Sequence, residues 1–145
     1  MGNFLVVVDM QTNFINECGA QKIIDGVVRK IEAAKIKGYE IVLTVDKSGG
    51  SIEKSVLRAC EGCKQYFKNS YGSKELILDL FEKRPDTVEF VGVCTDVCVI
   101  ANVLGTMAFL PFAEIVLDGK CCASSDKKGH LAALRVMKSC NIKVI

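Results

Sequence analysis

Tryptophan is absent from this 145-residue chain, aromatic residues make up 7% of it, and it holds one histidine, His130. With that one imidazole expected in a surface or capping role, no histidine is available for a Cys–His pair of the papain type. His130 falls in the first turn of a predicted last helix, where a surface or capping role is expected. Charge of one sign is scarce too: 19 basic residues face 17 acidic ones, a net +2, without long runs of either. That balance gives no electrostatic reason to expect nucleic acid or a membrane as partner. No apolar run approaches membrane-spanning length, and Met1-Gly-Asn-Phe-Leu-Val-Val-Val-Asp9 lacks the basic start of a signal peptide. A cytoplasmic location is expected. No internal repeat, linker or low-complexity segment divides the chain, so residues 1–145 are expected to form one domain.

Apolar residues and thiols, in contrast, are plentiful: half the chain is apolar and there are eight cysteines. Without an export signal most of these thiols are expected to be reduced. Only Cys60-Glu-Gly-Cys63 has the spacing of a pair or of half a metal site, and it does not follow a strand as redox motifs usually do.

Strand and helix patterns alternate along the chain. Phe4-Leu-Val-Val-Val8 is a continuous apolar, β-branched run, the mark of a strand covered on both faces, and it stops at Asp9. Met10–Phe14 is expected as a loop. Apolar positions from Ile23 to Ile36 predict an amphipathic helix over about 22–37, closed by Gly38. Tyr39–Val45 predicts a second strand with Asp46 at its end. A flexible loop follows over 47–51, then a short helical turn within 52–63. Tyr66–Ser73 reads as a short extended piece leading into a helix over 74–81. Lys68 lies in it between aromatic residues. Its head is expected either in solvent, with the stem on apolar surface, or in a pocket where it would stabilise anions.

Further strands are predicted from Pro85 to Gly92, over 113–118 with Asp118 at the end, and over 142–145. Helices are predicted from about 95 to 109 and over 127–139, with Cys121–Asp126 as a loop. The alternation predicts a three-layer α/β/α sandwich around a parallel sheet of five or six strands, Rossmann-like, with right-handed crossovers.

The corner Gly92-Val-Cys94-Thr-Asp-Val-Cys98 ends one strand and begins a helix. Thr95 and Asp96 are suited to cap that helix. Cys98 in its first turn would meet a dipole that lowers a thiol pKa, a common way to present a nucleophile. The simpler reading is that Cys94 and Cys98 are small buried hydrophobes. Asp9, Asp46, this corner and Asp118 all fall at carboxyl ends of predicted strands, the edge at which open α/β sheets bind ligands. A carboxylate can take a thiol proton and an ammonium can hold the resulting charges. Asp9, Lys68 and Cys98 supply that set.

In Val-Val-Asp9-Met-Gln-Thr-Asn-Phe14, Lys68-Asn-Ser-Tyr-Gly-Ser73, Gly92-Val-Cys-Thr-Asp-Val-Cys98-Val and Val116-Leu-Asp-Gly-Lys-Cys-Cys-Ala123 the chain resembles the isochorismatase-like cysteine hydrolases, which include the nicotinamidases. The resemblance runs from first strand to last with a gap at 47–63. It implies Asp9 as general base, Cys98 as nucleophile and Lys68 as the orienting cation, acting through a thioester on a small, flat amide. It implies a cis peptide at Val93–Cys94, an oxyanion hole from the amides of Cys94 and Cys98, and Phe14 and Tyr71 lining the substrate pocket. Core packing is the alternative for both aromatics. A homo-oligomer is expected on the same ground, and no cofactor.

The chain also departs from that family. Metal-dependent nicotinamidases follow the second-strand Asp with histidines, whereas Lys47 and Ser48 follow Asp46 here. The family's metal site therefore cannot form; Asp46 with Cys60 and Cys63 is the one replacement set for zinc that the sequence offers. Two readings stay open: an amidohydrolase of small amides, and a catalytically silent relative that binds a small molecule or a protein.

Overall fold

The structure, a computed structural model, describes residues 2–145. Six strands form one sheet: β1 Asn3–Val8, β2 Glu40–Asp46, β3 Lys64–Lys68, β4 Thr87–Val93, β5 Glu114–Ala123 and β6 Lys143–Val144. Their spatial order is β3-β2-β1-β4-β5-β6 and every pairing is parallel. Six α-helices cover the faces: α1 Thr12–Cys18, α2 Ile24–Ile36, α3 Lys54–Ala59, α4 Lys74–Lys83, α5 Ile100–Phe109 and α6 Lys127–Ser139.

Because side chains alternate across a strand, β1 feeds both layers. Phe4, Val6 and Val8 pack with Leu76 and Leu80 of α4, Val103 of α5 and Met137 of α6. Leu5 and Val7 pack on the other face with Ile15 of α1, Val27 and Ile31 of α2, and Val56 of α3. Each such aliphatic side chain taken wholly from water contributes about 1.5–3 kcal/mol, which is why the double-sided β1 reads as an uninterrupted apolar run.

The chain builds β1, β2 and β3 outward on one side, then crosses back to place β4 against the free edge of β1. The strand order thus reverses between β1 and β4, and a crevice opens at their carboxyl ends. The expected sandwich is present, with β3 as sixth strand where only an extended piece was expected.

Three local expectations fail. Residues 12–14 start helix α1 rather than continuing a loop, because Ile15 and Cys18 one turn apart bury against the sheet and Gly19 at φ +59° closes the helix. Residues 121–123 extend β5 rather than forming a loop, with Cys121 and Cys122 buried in opposite layers. Asp118 is therefore interior to β5 and does not face the crevice: its Oδ2 lies 2.8 Å from Lys30 Nζ, which also holds Glu89 Oε2 at 2.8 Å.

Gly92, paired with Val8, has φ +127°, and a Cβ there would overlap the Val8 backbone. No L side chain fits that approach. Gly92→Ala is expected to destabilise the fold by about 3 kcal/mol or more, read as a lower denaturant midpoint. An unchanged midpoint would contradict the close approach of β1 and β4.

Candidate functional site

Asp9 is the first residue beyond β1 and is fully buried in a left-handed turn at φ +48°. Its amide donates to Thr44 O at 3.2 Å, and its Oδ1 accepts from the Thr44 hydroxyl at 2.7 Å. Its Oδ2 faces Lys68 Nζ at 2.8 Å.

Lys68 ends β3, in register with Asp46 of β2. Alternation along β3 turns Tyr66 inward, Phe67 outward and Lys68 inward, and Lys68 is 5% exposed. Two strand spacings, about 10 Å, separate β3 from β1, a gap that the long lysine stem spans. Of the two expectations for its ammonium, the pocket holds and the solvent-facing head does not. Nζ donates to Ser70 O at 2.9 Å, Asp46 Oδ2 at 3.3 Å and Cys98 Sγ at 3.5 Å. Burial alone would lower the Lys68 pKa; Asp9 first, then Cys98 and Asp46, raise it overall and keep the head charged.

Cys98 sits in a π-helical turn, Thr95–Val99, between β4 and α5. The Val93–Cys94 peptide is cis, and Cys94 O accepts the amides of both Val97 and Val99 at 3.1 Å. Neither Thr95 nor Asp96 caps the helix. The Thr95 hydroxyl pairs with His130 Nδ1 at 2.7 Å, and Asp96 Oδ1 accepts from the Ser124 hydroxyl at 2.6 Å. Thr95 thus fastens the turn to α6, and Asp96 fastens it to the β5–α6 connection. His130 is half-buried in that contact, and Asp126 caps α6 in its place.

The expected acidic thiol is not found. Burial first, then the Asp9 charge, push the Cys98 thiol up to about 12, against the pull of Lys68. Lys68 already faces two carboxylates, and a thiolate would add a third negative charge around one ammonium. Cys98 therefore rests as a thiol.

Three buried polar residues that sequence reasoning did not single out hold this arrangement. Thr44 holds Asp9. Gln11 accepts from the Asp46 amide at 2.8 Å and donates to Asp46 O at 2.8 Å and Gly50 O at 2.9 Å, so it clamps the 46–50 segment over α1. Asn102 donates to Cys98 O at 2.8 Å and Tyr71 O at 3.2 Å, and accepts from the Ser73 amide at 2.8 Å. Their signal was a polar residue amid apolar neighbours, most plainly Asn102 within Val99-Ile-Ala-Asn102-Val-Leu104. Tyr71 is 67% exposed and takes no part in the core. Phe14 is half-buried over Gly49 and packs against the α1–α3 layer.

The isochorismatase domain model matches residues 64–145. The chain belongs to the isochorismatase family. It is an isochorismatase-fold hydrolase whose structural relatives include nicotinamidases. A nicotinamidase of Staphylococcus aureus is 26% identical over 100% of both chains, with a TM-score of 0.84. A nicotinamidase of Bacillus subtilis is 22% identical over 99% of both chains, TM-score 0.86. A ribonuclease of Caenorhabditis elegans superposes as well, at TM-score 0.88 and 19% identity over 98% of this chain and 75% of that one. The architecture thus carries more than one activity, and function has to be argued from the site. Comparison with curated proteins finds no match.

A pyrazinamidase of Pyrococcus horikoshii, 22% identical over 100% of this chain and 99% of its own with a TM-score of 0.83, has a structure in complex with zinc. The residues of this family member do not fit such a metal. Asp46 Oδ1 accepts from the Ser48 amide at 2.9 Å and the Ser48 hydroxyl at 2.7 Å, while Oδ2 faces Lys68. Burial works against the Asp46 charge, but Ser48 and Lys68 together hold its carboxyl below the usual value. Nor do Cys60 and Cys63 join it: they precede β3 at the amino edge of the sheet, whereas Asp46 ends β2 at the carboxyl edge. Four residues of parallel strand, about 13 Å, separate the two levels. Among the described residues, no three His, Cys, Asp or Glu side chains are grouped to hold a metal ion.

With its thiol pushed up to about 12, Cys98 is expected to react slowly with iodoacetamide at neutral pH. The rate should climb about tenfold per pH unit into the alkaline range, as thiolate forms. Alkylation read by mass on the fragment carrying Cys98 checks this; a rate that levels off near neutrality would contradict the protonated resting state.

Proposed function

We propose that this family member is a cysteine amidohydrolase that cleaves the C–N bond of a small, flat amide, nicotinamide first among them, with Asp9, Lys68 and Cys98 as its catalytic residues. One observation carries the reading: a single buried ammonium stands 2.8 Å from the Asp9 carboxylate and 3.5 Å from the Cys98 sulfur. A carboxylate, a cation and a thiol brought together at a sheet's switch point are what acyl transfer without histidine requires.

Cys98 rests protonated, so its deprotonation accompanies attack. As the sulfur bonds to the substrate carbonyl carbon, the thiol proton passes to Asp9 and the new charge moves to the carbonyl oxygen. That oxygen is received by the amides of Cys94 and Cys98 at the turned corner. Lys68 stabilises the sulfur while its proton leaves and afterwards remains beside Asp9. Asp9 then gives the proton to the departing nitrogen, the C–N bond breaks, and a thioester is left on Cys98. Water attacks the thioester as Asp9 takes one of its protons; the C–S bond breaks, the acid leaves, and Cys98 regains its proton.

Two observations support an aromatic amide. The S. aureus nicotinamidase matches at full length. Tyr71 offers an exposed ring whose backbone is tied through Asn102 to Cys98. A flat ring stacked on it would gain about 0.5–1.5 kcal/mol beyond area burial. Phe14 is the second aromatic assigned to the pocket.

Ammonia release from nicotinamide and a panel of small amides tests the proposal. Cys98→Ala is expected to lose about 10³-fold or more of the rate with its fold intact, and chelator is expected to leave the wild-type rate unchanged. A Cys98→Ala rate equal to wild type would overturn the nucleophile assignment. Silence of the wild type across the panel would favour a binding protein.

A further inference from the structure

The cysteines not used by this chemistry fall into distinct places. Cys121 and Cys122 are neighbours in β5 but point into opposite layers, so they cannot pair with each other. Cys140 is exposed beyond α6, and the Cys18 and Cys94 sulfurs are bonded between α1 and the catalytic corner. Cys60 and Cys63 differ from all of these, as two free thiols that the backbone holds together.

Cys60 closes α3, and the Cys63 amide donates back to Cys60 O at 2.9 Å through a turn in which Gly62 takes φ +79°. A four-residue turn of this kind keeps its end Cα atoms within about 7 Å, the upper limit for a disulfide. Both thiols are free and line one groove. Cys60 is buried, while Cys63 is partly exposed in a groove of about 480 Å³. Lys54 and Arg58 line that groove and outweigh Glu61 in charge.

We propose that Cys60 and Cys63 form a thiol–disulfide redox site whose partner is a small anionic disulfide of the glutathione type. The accessible Cys63 thiolate attacks one sulfur of the small disulfide. That S–S bond breaks, a Cys63 mixed disulfide forms, and one small thiolate leaves. Cys60, as thiolate, then attacks the Cys63 sulfur, closing the internal disulfide and expelling the second small thiolate. The protein dithiol is oxidised by two electrons, the small disulfide is reduced to two thiols, and the protons of Cys60 and Cys63 end on those products.

The surroundings favour the closed form. Burial and the neighbouring Cys63 push the Cys60 thiol up to about 12, with Lys35 pulling the other way. The reduced pair thus gains little from thiolate formation, so its disulfide is a weak oxidant and persists once formed. This differs from oxidoreductases, whose attacking thiolate is stabilised: Cys60 lies at the carbonyl end of its helix. The inference is independent of the hydrolase reading.

Equilibration of the full chain in buffers of varied glutathione disulfide-to-glutathione ratio, followed by acid quench and alkylation, tests it. Trypsin cuts after Arg58 and Lys64, so one fragment carries both thiols and no other cysteine. That fragment is expected to pass wholly from doubly alkylated to two hydrogens lighter than the unmodified dithiol. The midpoint should be the same in Cys98→Ala. Cys60→Ser is expected to trap glutathione on Cys63. A fragment that stays doubly alkylated at every ratio, or a Cys60→Ser chain that takes up no glutathione at Cys63, would overturn the proposal.

Discussion

A lysine ammonium buried against a buried carboxylate is the constraint that the rest of the site answers to. Lys68 is 5% exposed and Asp9 not at all, so neither charge has water to solvate it. Removing one partner of such a pair costs about 3–5 kcal/mol, because the other charge is left uncompensated. The chain meets that demand with further polar groups: the Thr44 hydroxyl on Asp9, and the Ser70 carbonyl and Asp46 carboxylate on Lys68. The Cys98 sulfur is the one remaining neighbour of the ammonium whose chemistry is not consumed by this neutralisation. A second carboxylate on the same lysine has a consequence. It leaves less positive charge for a thiolate, and adds to the burial and the Asp9 charge that push the Cys98 thiol up.

The fold brings these groups together because β1 and β4 meet at the reversal of strand order. Gly92 allows β4 to approach Val8 closely, so Asp9 and the Cys94–Cys98 turn leave adjacent strands side by side. Lys68 reaches them from the far side of β2. Hydrogen bonds from Gln11 and Asn102 then fix the two segments that flank the site, 46–50 and 70–73. Asp46 shows how local chemistry decides what a strand-end carboxylate does: with Ser48 two residues on and Lys68 beside it, its oxygens turn to an amide, a hydroxyl and an ammonium.

Much of this was legible in the residues because it depends on period and order. The apolar run before Asp9 marked a central strand, the alternation of elements marked the parallel sheet, and Asp9 and the Gly92–Cys98 corner stood at carboxyl ends of predicted strands, with Lys68 in a short extended piece. What escaped was set by tertiary contact. Asp118 looked like a strand end until β5 proved to run on to Ala123, and its charge answers Lys30 instead. Thr95 and Asp96 had the chemistry of caps, but His130 and Ser124 offered partners that local sequence does not display. The helix dipole predicted an acidic Cys98; burial and Asp9 outweigh it, since a buried environment penalises the charged form directly. The zinc set of Asp46, Cys60 and Cys63 failed on position along the sheet, which spacing in sequence does not encode.

The central claim is that Cys98 carries the acyl group between two proton transfers through Asp9. Acid quench during turnover of nicotinamide, followed by mass analysis of the fragment carrying Cys98, tests it most directly. The account predicts a nicotinoyl adduct on Cys98 that vanishes when hydroxylamine is added before the quench, with the hydroxamate appearing in solution. Turnover with no acyl group on Cys98 and no hydroxamate would contradict it.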